Sequence, residues 1–321
     1  MLSVIANSDL LRRCLIAALL LVGVALRILH DGEMGSDVLV VTQSAIDDVI
    51  RGENPYGHGY PTSRPPGAPF AYGPLALVWY AITPRTIELV SSVAVLVALA
   101  ASQRLIGLAM CALWVPLAIL ANDGSNDSSA GLFLLGALVL AERSPRLGAV
   151  ALAAVVAFKP YALAFLPPLV AFGGPGVLLP FLLASALAWG PAIALWGAGS
   201  ILASFRMAME VHVLPWYSLA AALRLDAGWR PALGLVQLTC GLAASLASLR
   251  FARSARGMVA WGIVIFAGTL FTGWWATLAY WAAVIPIAAW HIDAWYRRLR
   301  PAAELTGPGG GDAPRQPSSP A

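Results

Sequence analysis

Apolar runs follow one another along nearly the whole chain, and the charges that separate them come in short arginine clusters. Such a chain hides its side chains and satisfies its backbone together by forming helices that face lipid or each other. The first run is Leu15–Leu29, preceded by Arg12 and Arg13. Further candidate spans are Thr86–Gln103, Leu105–Ala121, Ser129–Ala141, Leu147–Phe158, Tyr161–Phe172, Val177–Trp196, Pro231–Leu249, Gly257–Thr272 and Ala276–Trp290. Several are shorter than the ~20 residues of a straight span, which points to broken helices.

Of 321 residues 59% are hydrophobic and 11% charged, where a soluble protein carries roughly a quarter charged. The expected class is therefore an all-α polytopic integral membrane protein of about ten transmembrane helices. A cleavable signal peptide is the rival reading of the first run; Arg27 and the lack of an A-x-A-like site before Asp31 favour an uncleaved span. The net charge of +4 does not point to nucleic acid, because the arginines sit between apolar runs. Cys14, Cys111 and Cys240 fall inside apolar runs, which predicts buried free thiols. The chain carries nineteen Arg and a single Lys, and with its many alanines this suggests a GC-rich bacterial genome.

The long polar interruption is Ser36–Pro74. Ser36 suits an N-cap and Asp37 a first helical turn. At 100° per residue Val38, Val41, Ala45, Ile46, Val49 and Ile50 gather on one side. Asp37, Gln43, Ser44, Asp47, Asp48 and Arg51 gather on the other, with Val40 the misfit. Gly52 and Pro55 end this helix. The reading is an amphipathic helix on a membrane face, after the first span, with Asp47 and Asp48 as solvated charges. Phe70–Ile82 is too short and Pro-punctuated for a span and is assigned as a second juxtamembrane or re-entrant helix.

Ten spans with cytoplasmic termini put Arg104, Arg143, Arg146, Arg250, Arg253, Arg256, Arg297, Arg298 and Arg300 inside, as the positive-inside rule asks. The transmembrane domain is then 1–300, with a first outer loop at 31–85 and a late outer loop at 197–230. The Gly/Pro/Ser-rich 301–321 reads as a disordered cytoplasmic tail. The orientation hinges on Phe158-Lys159-Pro160. One helix through 147–172 would bury Lys159 at about 2.5–3.5 kcal/mol and invert every later loop. Two short helices meeting at Lys159-Pro160 on the outer side avoid both, and the break is expected to line an outward-facing cavity with Lys159.

The order of several short motifs then carries a resemblance. Asp37, Ala45, Gly52-x-Asn54-Pro55-Tyr56, Tyr60 and Tyr72-Gly73-Pro74 look like the first outer loop of polyprenyl-phosphate-sugar-dependent glycosyltransferases. The chain resembles glycosyltransferase family 87 of the GT-C superfamily, the actinobacterial mannosyl- and arabinofuranosyltransferase group. Gly124-Ser125-Asn126-Asp127 stands at that family's GQ-x-N-like turn, Ala154–Pro167 is similar to its "alKPyp…lP" segment, and Ser218–Leu225 to its "NQSL…LxRL" segment. Ser125 departs from the family's Gln, and Trp216-Tyr217 from its Asn-Gln, which leaves sugar and acceptor open.

The resemblance implies a GT-C fold in a bacterial plasma membrane and an active site on the outer face. It implies inverting transfer of a hexose or pentose, mannose or arabinofuranose, from a polyprenyl-phosphate donor to a glycolipid or glycan acceptor, with membrane lipids as further partners. The chemistry needs a base for the acceptor hydroxyl and cations for the leaving phosphate. Asp37 is the base candidate; Lys159, Arg206, His212 and Arg224 are the donor-phosphate candidates; Tyr56, Tyr60, Trp216, Tyr217, Trp274 and Trp275 are candidate sugar or lipid contacts. The plain alternatives are a solvated cap for Asp37, a snorkelling Lys159 and an aromatic belt for the tryptophans. Asp123, Ser125 and Asp127 alternate like part of a calcium loop but lack its remaining ligands, and the histidines are scattered, so no metal or cofactor is expected. Against a transferase stand a transporter or flippase of a lipid-linked sugar and a non-catalytic membrane scaffold.

Overall fold

The computed structural model describes residues 9–30, 38–63, 66–81, 83–210, 217–274 and 276–299. Asp37, His212, Trp216, Trp275 and the expected tail lie outside the described residues. The architecture is all-α. Its helices are α1 (Asp9–Leu29), α2 (Val38–Ile50), α3 (Pro74–Trp79), α4 (Pro84–Ala101), α5 (Leu105–Leu113), α6 (Val115–Leu120), α7 (Asp127–Arg143) and α8 (Pro145–Phe158). They continue as α9 (Leu166–Gly173), α10 (Leu178–Trp196), α11 (Ala198–Glu210), α12 (Leu219–Ala222), α13 (Arg230–Phe251), α14 (Ala255–Thr272) and α15 (Ala279–Leu299). Between α2 and α3 two residue pairs, Gly59 with Pro69 and Tyr60 with Ala68, form a short antiparallel ladder of β1 (Gly59–Tyr60) and β2 (Ala68–Pro69).

Prolines set many of the boundaries. Pro84, Pro145 and Pro231 sit in first turns, where a missing N–H costs nothing. Pro160 ends α8: Lys159 before it is extended (φ −142°, ψ 107°), and a 3-10 turn over Pro160–Phe165 follows before α9. The expected single run Leu105–Ala121 is divided. Trp114 is extended between α5 and α6, and Pro116 in the first turn of α6 has no N–H to continue the ladder.

Two cores lie along the bundle. One joins α7, α8, α9 and α14 around Leu138, Leu152, Phe165, Leu169, Met258 and Phe266. The other joins α1, α4, α5 and α15 around Ile16, Leu96, Leu99, Leu108 and Ala289. A third core belongs to the polar interruption itself, where Val41, Ala45, Ile46, Tyr56, Tyr60 and Phe70 meet Ala192 of α10 and Ile201 of α11. Close backbone approach needs residues without bulk. A Cβ at Gly107 would collide with the Ala289 carbonyl where α5 meets α15.

Three helical stretches are long and apolar enough to cross a membrane: Pro175–Trp196, Ala227–Phe251 and Ala255–Thr272. They bury few of their own residues, and Leu179, Leu183, Leu187 and Leu195 of α10 with Leu235, Leu238 and Leu246 of α13 stand exposed. Bare apolar faces of that size suit lipid rather than water. The cysteines are free, but only Cys111 is buried within the protein; Cys14 and Cys240 are exposed on helix faces.

Candidate functional site

The described part of the polar interruption is hung on Asp48. Asn54 Oδ1 accepts the Tyr56 N–H at 2.9 Å, the Asx turn that short amide side chains favour. Tyr60 reaches back twelve positions and donates its O–H to Asp48 Oδ2 at 2.7 Å. His58 Nε2 stands 3.2 Å from the same oxygen, and the Arg51 guanidinium grips Asp48 Oδ1. Burial, with the Asp48 carboxylate second, raises the Tyr60 phenol above its ordinary value. Ser63 Oγ donates to the Tyr60 carbonyl at 2.6 Å and accepts the Ala68 N–H at 2.8 Å, which closes the hairpin. The Tyr56 ring lies 5.4 Å from Phe70 and 5.6 Å from Trp196, and the Gly57 N–H donates to Ser204 Oγ of α11 at 2.9 Å. The loop is thereby seated on α10 and α11.

Its far end is seated on the break after α8. The Gly73 N–H donates to the Phe158 carbonyl at 3.2 Å, and Gly73 is required because a Cβ would enter the Ala157 carbonyl. This puts the Tyr72 ring 5.7 Å from Lys159 Nζ, which also faces Tyr161 at 5.1 Å and Tyr280 at 5.6 Å. Three ring faces around one ammonium replace part of its lost hydration. Lys159 Nζ makes an ion pair with Asp127 Oδ1 at 2.5 Å, and the Tyr161 O–H donates to that oxygen at 2.8 Å. The side chains of Lys159 and Asp127 are only 5% and 3% exposed, so the pair is sealed from solvent.

A second carboxyl group stands beside this pair. Glu88 of α4 accepts the Ser128 N–H at 2.9 Å, the Ser129 N–H at 3.1 Å and the Tyr80 O–H at 2.6 Å. It thus satisfies the orphan donors of the α7 N-terminus from a neighbouring helix. Burial and the Glu88 carboxyl push the Tyr80 phenol well above its ordinary value. Ser91 and Trp79 Nε1 both bond Ser129 Oγ, at 2.9 and 3.0 Å. In the preceding turn the Asp123 carboxyl is raised by burial, which its Ser125 N–H bond (2.8 Å) partly opposes.

Several placements differ from the sequence expectations. Lys159 is enclosed with Asp127 rather than offered to an open cavity. Tyr56 and Tyr60, expected as sugar or lipid contacts, are 2% and 5% exposed and form the loop's own core. Asp48, expected as a solvated charge, is buried; of the apolar stripe expected to lie on a membrane, Val41, Ala45 and Ile46 are buried within the protein and Val49 and Ile50 are exposed. Asp48 lies at the edge of the apolar stripe beside Val41, and Tyr60, His58 and Arg51 converge on it there. Arg206 and Arg224 are exposed on α11 and just after α12. Tyr217 is exposed with φ 45°, and Trp274 is half-buried. The Trp274 carbonyl accepts the Ser218 O–H at 2.8 Å, and its ring lies 5.0 Å from the Arg230 guanidinium.

Sequence reasoning did not single out Glu88 or Asp127 as partners of this network. Glu88 had a signal: an acid one turn into an apolar run is costly unless it is engaged. Arg27 had the same signal. It is fully buried, donating to Ser92 Oγ (2.7 Å), the Gly23 carbonyl (2.9 Å) and the Cys111 carbonyl (3.2 Å).

Comparison with known proteins finds no matching family model, no matching curated protein and no matching solved structure.

Proposed function

We propose that the chain is a membrane glycosyltransferase that moves a sugar from a polyprenyl phosphate to an acceptor on the outer side, by a single inverting displacement. The observation that carries this reading is the meeting of three separate motifs at one place. Tyr72-Gly73-Pro74 lies on Phe158-Lys159-Pro160 through the Gly73 bond, and Lys159 is paired with Asp127 of the Gly124–Asp127 turn. These are the stretches that resemble family 87, and they lie far apart in sequence. Ser218–Leu225, the fourth stretch, is tied to Trp274 instead.

Ten spans are part of the proposal, and the polar ties between elements support them. Arg12 donates to the Gln103 carbonyl (2.6 Å), the Ile106 and Gly107 N–H groups donate to Asp293, and His291 stands 3.4 Å from Glu142. All of these join segments assigned to the inner side. Gly57 with Ser204, Asn122 with the Arg27 carbonyl (2.6 Å) and Ser218 with Trp274 join segments assigned to the outer side. Cysteines placed singly at Gly52 and Ser200 in a Cys-free background should react with an impermeant maleimide in intact cells. Those at Arg143 and Ser254 should not, and external labelling at Ser254 overturns ten spans.

In this reading Asp37, which immediately precedes α2 in sequence, is the base for the acceptor hydroxyl. Lys159 meets the donor phosphate only by exchanging Asp127 for it, and the exposed Arg206 and Arg224 supply further positive charge. A second reading, a transporter or flippase of lipid-linked sugar, draws on the sealed Asp127–Lys159 pair, since ionisable pairs at membrane depth often mark transport paths. Purified protein given radiolabelled polyprenyl-phosphate mannose or arabinofuranose with candidate acceptors separates them. Transfer of label to an acceptor supports the enzyme; translocation of intact donor in vesicles without transfer supports the transporter.

A further inference from the structure

The turn that carries Asp127 contains a side chain that the fold itself leaves unused. Asn126 occupies the N-cap position of α7, where an Asn ordinarily bonds the backbone of the first turn. Here Glu88 has taken that task, accepting the Ser128 and Ser129 N–H groups from α4. Asn126 is 2% exposed, and neither its amide nitrogen nor its amide oxygen has a hydrogen-bond partner. An orphaned buried amide has two donors and an acceptor unmet, an unfavourable state that native proteins rarely hold without cause. Its neighbours are otherwise satisfied: Asn122 donates to the Arg27 carbonyl, Ser125 Oγ to the Leu120 carbonyl, and Asp127 takes Lys159 and Tyr161.

A second orphan stands on the helix that crosses this turn. Thr42 Oγ1 of α2 is buried and also has no partner. It lies one helical turn beyond Leu39, and Leu39 abuts the turn so closely that a Cβ at Gly124 would lie 2.8 Å from it. Gly124 itself is at φ 82°, a conformation glycine adopts without strain. Both unmet groups therefore belong to elements that meet at the Leu39–Gly124 contact.

We infer that Asn126, with Thr42 beside the same contact, is a sugar-reading subsite that hydrogen-bonds the hydroxyls of the lipid-linked sugar. This rests on the sugar-transfer reading. The chemistry selects hydroxyls over phosphate. An amide offers a donor and an acceptor side by side, which matches two neighbouring hydroxyl groups, and it carries no charge with which to hold a phosphate. Admission of the sugar requires α2 to part from the turn at Leu39–Gly124.

The test compares binding of three probes to the detergent-purified full chain: bare polyprenyl phosphate, its mannosyl form and its arabinofuranosyl form. The wild type should bind at least one sugar-bearing lipid about tenfold more tightly than the bare phosphate, the worth of two net hydrogen bonds. Asn126→Ala should lose that preference while keeping its affinity for the bare phosphate, and Thr42→Val should lose a smaller part. Without any lipid, Asn126→Ala should melt no lower than wild type, because it removes an unmet polar group and no cap bond. Retained sugar preference in Asn126→Ala overturns the subsite and leaves the transferase reading standing. A melting temperature several degrees below wild type, or a wild type that binds all three probes equally, overturns the subsite as well. A wild type that binds none of the three removes the transferase reading with it.

Discussion

Two carboxylates in this protein gather a tyrosine and a cation, and they do so in opposite surroundings. Asp127 holds Lys159 and Tyr161 with both charges about as enclosed as side chains become. Asp48 holds Tyr60, His58 and Arg51, but its two basic partners are half exposed, at 46% for His58 and 55% for Arg51. In the first case each charge depends on the other, since nothing in solvent replaces a lost partner. In the second, water and salt can stand in for Arg51 or His58, and the tyrosine bond carries the structural weight. The Asp48 cluster is a clasp for the loop. The Asp127 cluster is the floor on which that loop is laid.

The largest expected effect is therefore at the sealed pair. Lys159→Ala should cost about 3–5 kcal/mol of stability, the usual result of leaving one buried charge alone. Thermal unfolding in detergent reads this directly. The double variant Lys159→Met, Asp127→Asn, which removes both charges and keeps an acceptor for Tyr161, should regain most of the stability but not donor use. If the double variant is as unstable as the single one, the two residues act separately and the floor is misread. Lys159→Arg should keep part of the activity, less than charge alone suggests, because a planar guanidinium must fit among three rings.

A smaller effect is expected at the clasp. Asp48→Ala strands the Tyr60 O–H and should cost roughly 1.5–3 kcal/mol, as for hydrogen bonds to a charged group. Limited proteolysis should then cut within the loop before the bundle unfolds. Loop protection unchanged in Asp48→Ala would show that Phe70 and Tyr56 hold the loop without it. Arg51→Ala, at the exposed rim, should stay within about 1 kcal/mol of wild type.

The same contrast marks what the sequence disclosed. Helix limits were legible because proline, arginine and hydropathy act locally: α8 stops just before Lys159-Pro160, α4 starts at Pro84, and α14 starts at Ala255, within the Arg250–Arg256 cluster. The Lys159-Pro160 break was legible for the same reason. Partnerships were not. Asp127 lies 32 positions from Lys159 and Glu88 about 40 from the N–H groups it accepts, and nothing local announces either. Asp48 shows the limit of helical periodicity. The wheel puts it on the polar face, yet Tyr60 returning from the hairpin makes a polar group the best buried neighbour there. Trp114 escaped notice because the Leu105–Ala121 run stays apolar through the break.

In the proposed function the loop, clasp and floor together serve base-assisted sugar transfer, with Asp37 as the base. The most direct measurement is turnover of a polyprenyl-phosphate sugar by Asp37→Asn beside donor binding by the same protein. A sugar hydroxyl is a poor nucleophile near neutral pH, and a positioned base contributes roughly 10²–10⁴-fold. The account predicts a loss of turnover on that scale with donor affinity and melting temperature close to wild type. Turnover equal to wild type in a folded Asp37→Asn protein contradicts it.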